Sequence, residues 1–145
     1  MPGKNIRSFR GRPLISWTIA AAQESEIVSR VVVSTEDPRI AEIAKQFGAE
    51  VPFLRPMNLA QDDTPGSAPV MHAVQRLPHF DWVLLLQPTS PLRDSRDIDA
   101  MWGQCQNEQA SSMVSVSPVD QHPELMFFHE AAGSIAPVMT NNGHG

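Results

Sequence analysis

Three short polar stretches of the sequence carry side chains that suit the binding of a phosphorylated or polyhydroxylated ligand. Residues 4–7 read Lys-Asn-Ile-Arg, where a cation stands beside an amide that both donates and accepts hydrogen bonds, as reading a nucleobase edge requires. Arg55 precedes a proline, and its planar guanidinium suits a phosphate or a carboxylate. Residues 87–91 read Gln-Pro-Thr-Ser-Pro and offer an amide and two hydroxyls. Each stretch taken alone is more often an ordinary surface feature.

Other familiar catalytic motifs are absent or weak. Neither G-x-S-x-G nor G-x-x-x-x-G-K-[ST] occurs, which argues against an α/β-hydrolase and against a P-loop enzyme. Two histidine pairs share a seven-residue spacing that matches no metal motif, at positions 72 and 79 and at positions 122 and 129. Asp62-Asp63 is more typical of a solvated turn than of a cation site, and Cys105 is predicted to be buried and inert. The motifs therefore identify no catalytic residue and no metal ligand.

These stretches must be positioned by alternating helices and strands. Some segments show helical periodicity or helix-start signals, and others are short apolar or alternating runs typical of strands. The predicted helices start at Pro13 and at Asp37-Pro38, cover residues 70–77 and run through residues 98–105; the predicted strands are residues 30–34, 51–54, 82–87 and 114–117. This alternation predicts an α/β fold with a mostly parallel sheet in a three-layer sandwich. Ligands bind beyond the carboxyl ends of parallel strands, so residues 87–93, after the strongest predicted strand, are the first candidate site.

Two acidic residues near that candidate site have a structural interpretation. Asp97 and Asp99 stand at the start of the predicted helix that runs through residues 98–105, where acids favour the helix dipole. We therefore predict a structural role for both, in stabilising the start of the helix.

Length, composition and charge narrow the class of protein. The chain has 145 residues, 41% of them hydrophobic, which suits one domain with a real core. Its apolar runs are too short to span a bilayer, no signal-peptide pattern follows Met1, and a single cysteine fits a reducing cytoplasm. The net charge of −5 argues against a protein that coats nucleic acid without regard to sequence. The first residues are nonetheless basic, which predicts either contact with a polyanion such as a nucleoside triphosphate or a frayed terminus.

Several stretches, taken in order, resemble one family of enzymes. They are residues 4–7 (Lys-Asn-Ile-Arg), 11–15 (Gly-Arg-Pro-Leu-Ile), 31–35 (Val-Val-Val-Ser-Thr), 48–56 (Gly-Ala-Glu-Val-Pro-Phe-Leu-Arg-Pro), 59–60 (Leu-Ala), 62–64 (Asp-Asp-Thr), 72–73 (His-Ala) and 85–93 (Leu-Leu-Gln-Pro-Thr-Ser-Pro-Leu-Arg). The ordered set resembles the acylneuraminate cytidylyltransferases, the CMP-sialic acid synthetases and their bacterial relatives. The resemblance runs from about Lys4 to about Phe128, and the order of the stretches makes it specific.

The resemblance implies a cytoplasmic nucleotidyltransferase. The anomeric hydroxyl of a nine-carbon 2-keto sugar acid would attack the α-phosphate of CTP, pyrophosphate would leave, and Mg²⁺ would screen the developing charge. It also implies a Rossmann-like nucleotide-diphospho-sugar transferase fold, and a homodimer for full-length members. The partners would be CTP and the sugar acid, with no nucleic acid and no membrane. Sialic, legionaminic and pseudaminic acids all stay open as the substrate.

The resemblance also implies roles for particular residues. Nucleotide contacts are implied for Lys4, Asn5 and Arg55, and substrate contacts for Thr64, Gly66, Gln87, Thr89 and Ser90. Gly66 stands where relatives often carry a serine, so only its backbone can serve there. Ala68 stands where many relatives carry an acid, so any function of that acid is missing from this chain.

The sequence departs from the family at both ends. Family members begin with a central strand and an A-R-x-G-S-K loop, and they continue with a dimerisation arm and a D-x-D-type metal pair; neither part is found here. We therefore expect residues 1–130 to form a partial cytidylyltransferase domain, weakly active or inactive, and residues 131–145 to form a loose tail. A non-catalytic nucleotide- or sugar-binding remnant and a structural domain of the same fold are the alternatives. Without the first strand, two rows of backbone groups would lack partners, and we expect a marginally stable or aggregation-prone chain.

Overall fold

The structure, a computed structural model, describes residues 3–77, 80–118, 127–129 and 135–137. The chain divides into two compact units, Met1–Ser112 and Met113–Gly145. The first unit contains the 3-10 turn Lys4–Ile6, strands β1 (Ser8–Phe9) and β2 (Arg12–Pro13), helices α1 (Leu14–Glu24) and α2 (Pro38–Gln46), the 3-10 turn Met57–Leu59, and helices α3 (Ser67–Arg76) and α4 (Ser95–Asn107). The second unit contains strands β3 (Phe127–His129) and β4 (Ile135–Pro137).

The basic opening of the chain is a folded hairpin. Strands β1 and β2 pair antiparallel, and Arg10 and Gly11 at the turn have φ values of 50° and 85°, as the tight turn of a two-residue hairpin requires. Trp17 of α1 donates a hydrogen bond from Nε1 to the carbonyl of Phe9 at 3.0 Å. The guanidinium of Arg12 lies 3.7 Å from the centre of the Trp17 ring. The hairpin is thus attached to α1, and the frayed-terminus alternative is wrong for these residues.

Local sequence signals explain where the helices begin. Helix α1 starts directly after Pro13, as predicted. Helix α2 starts at Pro38, and the carboxylate of Asp37 accepts a hydrogen bond from the backbone N–H of Arg39 at 2.8 Å. At the start of α4, Asp94 and Asp97 accept hydrogen bonds from each other's backbone N–H, both at 3.1 Å. The predicted structural role of Asp97 is therefore confirmed.

The core lies between the first two helices and two extended segments. Fully buried side chains come from α1, α2 and the residue after the α2 turn, and partly buried apolar side chains pack around them. The buried set is Ile15, Ile19, Ile40, Ala44 and Ala49; around it lie Ile6, Val31, Val33, Ile43, Phe47 and Val51. Because Ile6 belongs to this cluster, the 3-10 turn that carries Lys4 and Asn5 is fixed to the core.

Two of the predicted strands lie side by side in parallel. Val32 and Glu50 form a parallel bridge, in which the Glu50 N–H donates to Val31 and the Val33 N–H donates to Glu50, each at 2.9 Å. The Arg55 N–H donates to the carbonyl of Thr35 at 2.8 Å. Both segments therefore end at the same edge of the molecule, near residues 35 and 55. Among the described residues, parallel pairing is found between these two segments. The described residues do not form the larger parallel sheet that we predicted.

The predicted strands at 82–87 and 114–117 are wrong. Neither segment has regular secondary structure, and no described backbone partner hydrogen-bonds with residues 82–86. Val83 and Leu85 are 55% and 61% exposed. An apolar run becomes a strand only when a neighbouring strand completes its ladder. Trp82 packs edge-on against Trp102 of α4 at 5.1 Å, but no described strand pairs with residues 82–86.

The second unit contains an antiparallel hairpin that we did not predict. Strand β3 pairs with β4, with Phe128 opposite Ala136. Strand β4 lies within the stretch expected to be a loose tail, while the rest of residues 130–145 lies outside the described residues. The domain boundary at residue 130 stays a prediction. No helix in the described part of the chain is long and apolar enough to cross a bilayer.

Candidate functional site

Arg55 lies at the carboxyl ends of the two parallel segments and is paired with an acid. Its Nη2 donates to Oε2 of Glu36 at 2.5 Å, and the side chains of Arg55 and Glu36 are 21% and 28% exposed. The Nε of Arg55 is enclosed and has no hydrogen-bond partner among the described residues. A cation therefore stands where the sequence predicts one, with Nη2 of the guanidinium held by Glu36 and the enclosed Nε without a partner among the described residues.

The Glu36 carboxylate is ionised and orients the Arg55 guanidinium through their hydrogen bond. Partial burial raises the pKa of Glu36, whereas the hydrogen bond from Arg55 and the charge of Arg55 lower it, and the pKa stays below the usual value. Glu36 is therefore ionised at neutral pH. The sequence analysis missed this residue, because nothing in a glutamate before a helix start indicates pairing with a residue 19 positions away.

The predicted nucleotide residues near the start of the chain lie on a turn that packs on α1 and α2. The side chain of Lys4 is exposed, and that of Asn5 is half-buried. The Asn5 Oδ1 atom is enclosed and has no hydrogen-bond partner in the described part of the chain. An enclosed acceptor without a donor is costly, so a donor from outside the described residues would stabilise this position.

The loop at 87–90 is a pair of consecutive turns. The Ser90 N–H donates to the carbonyl of Gln87, and the Arg93 N–H donates to the carbonyl of Ser90, each at 3.3 Å. The side chains of Gln87, Thr89 and Ser90 are exposed and make no hydrogen bond to a described residue. Two turns follow residue 86, although the strand that they were predicted to end is not formed, and three polar side chains there face solvent.

The two substrate residues predicted around α3 differ in their surroundings. The Thr64 hydroxyl accepts from the Gln61 N–H at 3.1 Å and donates to the Asn58 carbonyl at 3.4 Å, so it shapes its own turn. Gly66 is exposed, and a Cβ at this position would meet nothing within 4 Å. A serine would therefore fit at residue 66 without rearrangement.

Only some of the predicted site residues are brought to the same region. The turn with Lys4 and Asn5 packs on α2, and Arg55 is bonded to the residues that lead into α2. No hydrogen bond or ion pair between described residues joins Gln87 to this group. Two open grooves on the surface are formed by described residues, and none of the predicted site residues lines either of them.

The described residues offer no metal-binding cluster. No group of three or more His, Cys, Asp or Glu side chains in that part of the chain is placed to hold a metal ion. Asp62 and Asp63 are exposed in a turn. Cys105 is buried, with its Sγ 3.4 Å from the carbonyl of Ala110, so the predicted buried position is confirmed.

A polar site at the carboxyl ends of parallel segments is typical of α/β proteins that bind nucleotides. The sequence profile of the family described as Cytidylyltransferase matches residues 1–132. The chain belongs to this family.

Two relatives support a narrower relationship. The chain is 42% identical over 143 residues to the CMP-N,N'-diacetyllegionaminic acid synthase of Legionella pneumophila, which covers 93% of this chain and 60% of that protein. It is 34% identical over 136 residues to the N-acylneuraminate cytidylyltransferase of Escherichia coli, covering 86% of this chain and 32% of that protein. The resemblance to the acylneuraminate cytidylyltransferases is confirmed. The chain spans less than two thirds of the length of each relative.

A solved structure shows the fold. It is a CMP:2-keto-3-deoxy-manno-octonic acid synthetase complexed with CTP, similar to this chain with a TM-score of 0.65 and 23% sequence identity. The match covers 76% of this chain and 43% of that one. This similarity confirms the predicted nucleotidyltransferase fold for the part of the chain that the match covers.

Proposed function

We propose that this protein transfers CMP from CTP to a nonulosonic acid, giving the CMP-sugar and pyrophosphate. The observation that carries the proposal is the 42% identity, over 93% of the chain, to a relative named as a CMP-N,N'-diacetyllegionaminic acid synthase. The polar side chains at the carboxyl ends of the parallel segments support it, because a nucleotide needs hydrogen bonds to its base and cations for its phosphates.

The nucleotide half of the proposed site uses Asn5, Lys4 and Arg55. The enclosed Oδ1 of Asn5 accepts from the exocyclic amine of cytosine, and the exposed Lys4 lies beside it. The free Nε donor of Arg55 binds an oxygen of the nucleotide, while Glu36 holds the other side of the guanidinium. Glu36 therefore acts as a positioning residue.

The sugar-acid half uses the loop at 87–90 and the start of α3. Gln87, Thr89 and Ser90 have unengaged polar side chains that suit a polyhydroxylated ligand. The Thr64 hydroxyl binds the sugar acid only if it gives up its hydrogen bonds to Gln61 and Asn58 within the turn. Gly66 contributes its backbone. Holding the anomeric hydroxyl against the α-phosphate is catalysis by positioning.

The finer features of the proposal come from the family. They are a mostly parallel three-layer sheet, a cytoplasmic homodimer without nucleic-acid or membrane partners, and a requirement for Mg²⁺. Mg²⁺ favours carboxylate and phosphate oxygens, but the described residues offer no matching carboxylate set, so no step is assigned to the ion.

Pyrophosphate release tests the proposed reaction. The chain is assayed as the 145-residue protein and as the same reading frame extended to the length of its relatives, with CTP, Mg²⁺ and one sugar acid. The panel contains N-acetylneuraminic, N,N'-diacetyllegionaminic and pseudaminic acids. We expect release that requires both substrates, strong in the extended protein and weak in the short chain. No release by the extended protein with any of the acids contradicts the proposal.

A binding protein without turnover is the second candidate. The Glu36 carboxylate occupies one side of the Arg55 guanidinium, and the described residues lack a metal-binding cluster. The pairing leaves Arg55 able to bind an anion and assigns no residue to a catalytic step. Calorimetric titration with CTP separates the two candidates, since saturable binding by the extended protein without pyrophosphate release supports the second.

A further inference from the structure

The imidazole of His72 is enclosed within the folded unit. His72 lies on α3, and neither Nδ1 nor Nε2 has a hydrogen-bond partner among the described residues, although both atoms are closed to water. A neutral imidazole carries one donor and one acceptor, and enclosing them without partners destabilises the folded chain. Packing alone does not explain a histidine here, because an apolar side chain would fill the space without that cost.

The surroundings of His72 connect it to the segment that carries Arg55. The ring packs edge-on against Phe53, with centroids 5.0 Å apart and planes at 85°. Half-buried and exposed side chains alternate over residues 51–55, which puts Phe53 and Arg55 on the same face of that segment. The guanidinium of Arg76, also on α3, lies 5.8 Å from the centre of the Phe53 ring. The His72 imidazole and the Arg76 guanidinium therefore both contact Phe53, which shares a face of its segment with Arg55.

The charge of this neighbourhood suits an anion. Glu36 is the acid paired with Arg55, and no ion pair between described residues involves Arg76. The Nε of Arg55 is an enclosed donor without a partner in the described part of the chain, like the donor of His72. Unpaired N–H donors together with cations are the usual partners of carboxylate and phosphate oxygens.

We propose that His72 is a ligand-binding residue whose ring N–H donates a hydrogen bond to an oxyanion of the ligand that Arg55 also contacts. The inference rests on the proposed function and adds a residue to its site. The oxyanion has two sources in the proposed reaction, a phosphate of CTP and the carboxylate of the sugar acid.

The ring nitrogens of His72 report this interaction directly. The ¹⁵N-labelled chain is titrated separately with CTP, N-acetylneuraminic acid and inorganic phosphate, and the imidazole ¹H–¹⁵N signals are followed by NMR. The His72 signals are those lost in His72→Phe. A saturable shift with CTP or with the sugar acid supports the proposal and identifies the source. A shift with inorganic phosphate only, or no shift with any of the three, overturns it.

Two variants separate binding from packing. His72→Phe keeps an aromatic edge against Phe53 and removes both nitrogens, so we expect at least tenfold weaker binding of the identified ligand and an unfolding midpoint no lower than that of the wild type. Gln75→Ala changes an exposed position on the same helix, and we expect unchanged binding. Wild-type affinity in His72→Phe overturns the inference. Absent pyrophosphate release in the wild type would instead contradict the proposed function and leave the His72 titration interpretable.

Discussion

Arg55 shows how the site combines a predictable residue with an unpredictable partner. Its position after a strand indicated an anion-binding cation, and the structure places it at the ends of both parallel segments. Its pairing with Glu36 depends on the path of the chain between residues 36 and 55, which no local pattern encodes. The enclosed atoms of Asn5 and His72 are likewise visible only once the surrounding elements are folded.

The Glu36–Arg55 pair makes stability depend on acid pH. Because the folded pKa of Glu36 is below its usual 4.5, the pair stabilises the fold above that pH and loses this contribution as pH falls through the folded pKa. Glu36→Gln should lower the free energy of unfolding by about 1–2 kcal/mol at pH 7, between the effects of surface and buried pairs. Urea unfolding at pH 7 and at pH 3 measures this. A loss of the same size at both pH values would contradict the assignment.

Gln87 should contribute to catalysis through one hydrogen bond. We expect Gln87→Ala in the extended protein to reduce kcat/KM for the sugar acid about tenfold, the effect of a hydrogen bond worth about 1.4 kcal/mol. Gln104→Ala, an exposed glutamine on α4, is the matched control and should leave kcat/KM unchanged. Unchanged kcat/KM in Gln87→Ala would remove this residue from the site.

At the scale of elements, helices were easier to predict than strands. The starts of α1, α2 and α4 follow from proline and aspartate signals that act within a few residues. The parallel pairing of residues 31–33 with residues 49–51 agrees with the prediction for that part of the sheet. Residues 82–87 have the same apolar character but no partner among the described residues, and a strand depends on its neighbour.

Two glycine substitutions should have opposite effects on helix stability. Gly48 ends α2 at φ 85°, and an added Cβ would lie 2.6 Å from Nε2 of Gln23, so Gly48→Ala should destabilise the chain by about 1–2 kcal/mol. Gly103 lies inside α4 with nothing within 4 Å of an added Cβ, so Gly103→Ala should stabilise by about 1 kcal/mol. Urea unfolding of both variants checks the signs. If both substitutions change the free energy of unfolding in the same direction, this explanation of the two glycines is contradicted.

For the molecule as a whole, the apolar segment at residues 82–86 is largely exposed to solvent and has no described strand partner. Val83 and Leu85 are exposed on a stretch that no described backbone partner covers. Exposed apolar segments with free backbone groups associate with one another. Backbone groups without partners are also the ground on which we expect a marginal, aggregation-prone chain, and that expectation stays a prediction.

Association of the 145-residue chain tests this feature. We expect concentration-dependent association in sedimentation velocity, and Leu85→Lys should reduce it because a charge on an open edge opposes pairing. Val116→Lys, at a position 90% exposed in the second unit, is the control and should have a smaller effect. A monomer at all concentrations that melts reversibly above about 55 °C would contradict the prediction.

Cytidylyl transfer by this protein is measured by ³¹P NMR of the reaction mixture. The extended protein is incubated with CTP, Mg²⁺ and a nonulosonic acid, and the phosphorus products are quantified. We predict one CMP phosphodiester for each pyrophosphate, formed only when both substrates are present. CTP that stays intact with every acid of the panel, or that is hydrolysed without a phosphodiester product, would contradict the claim.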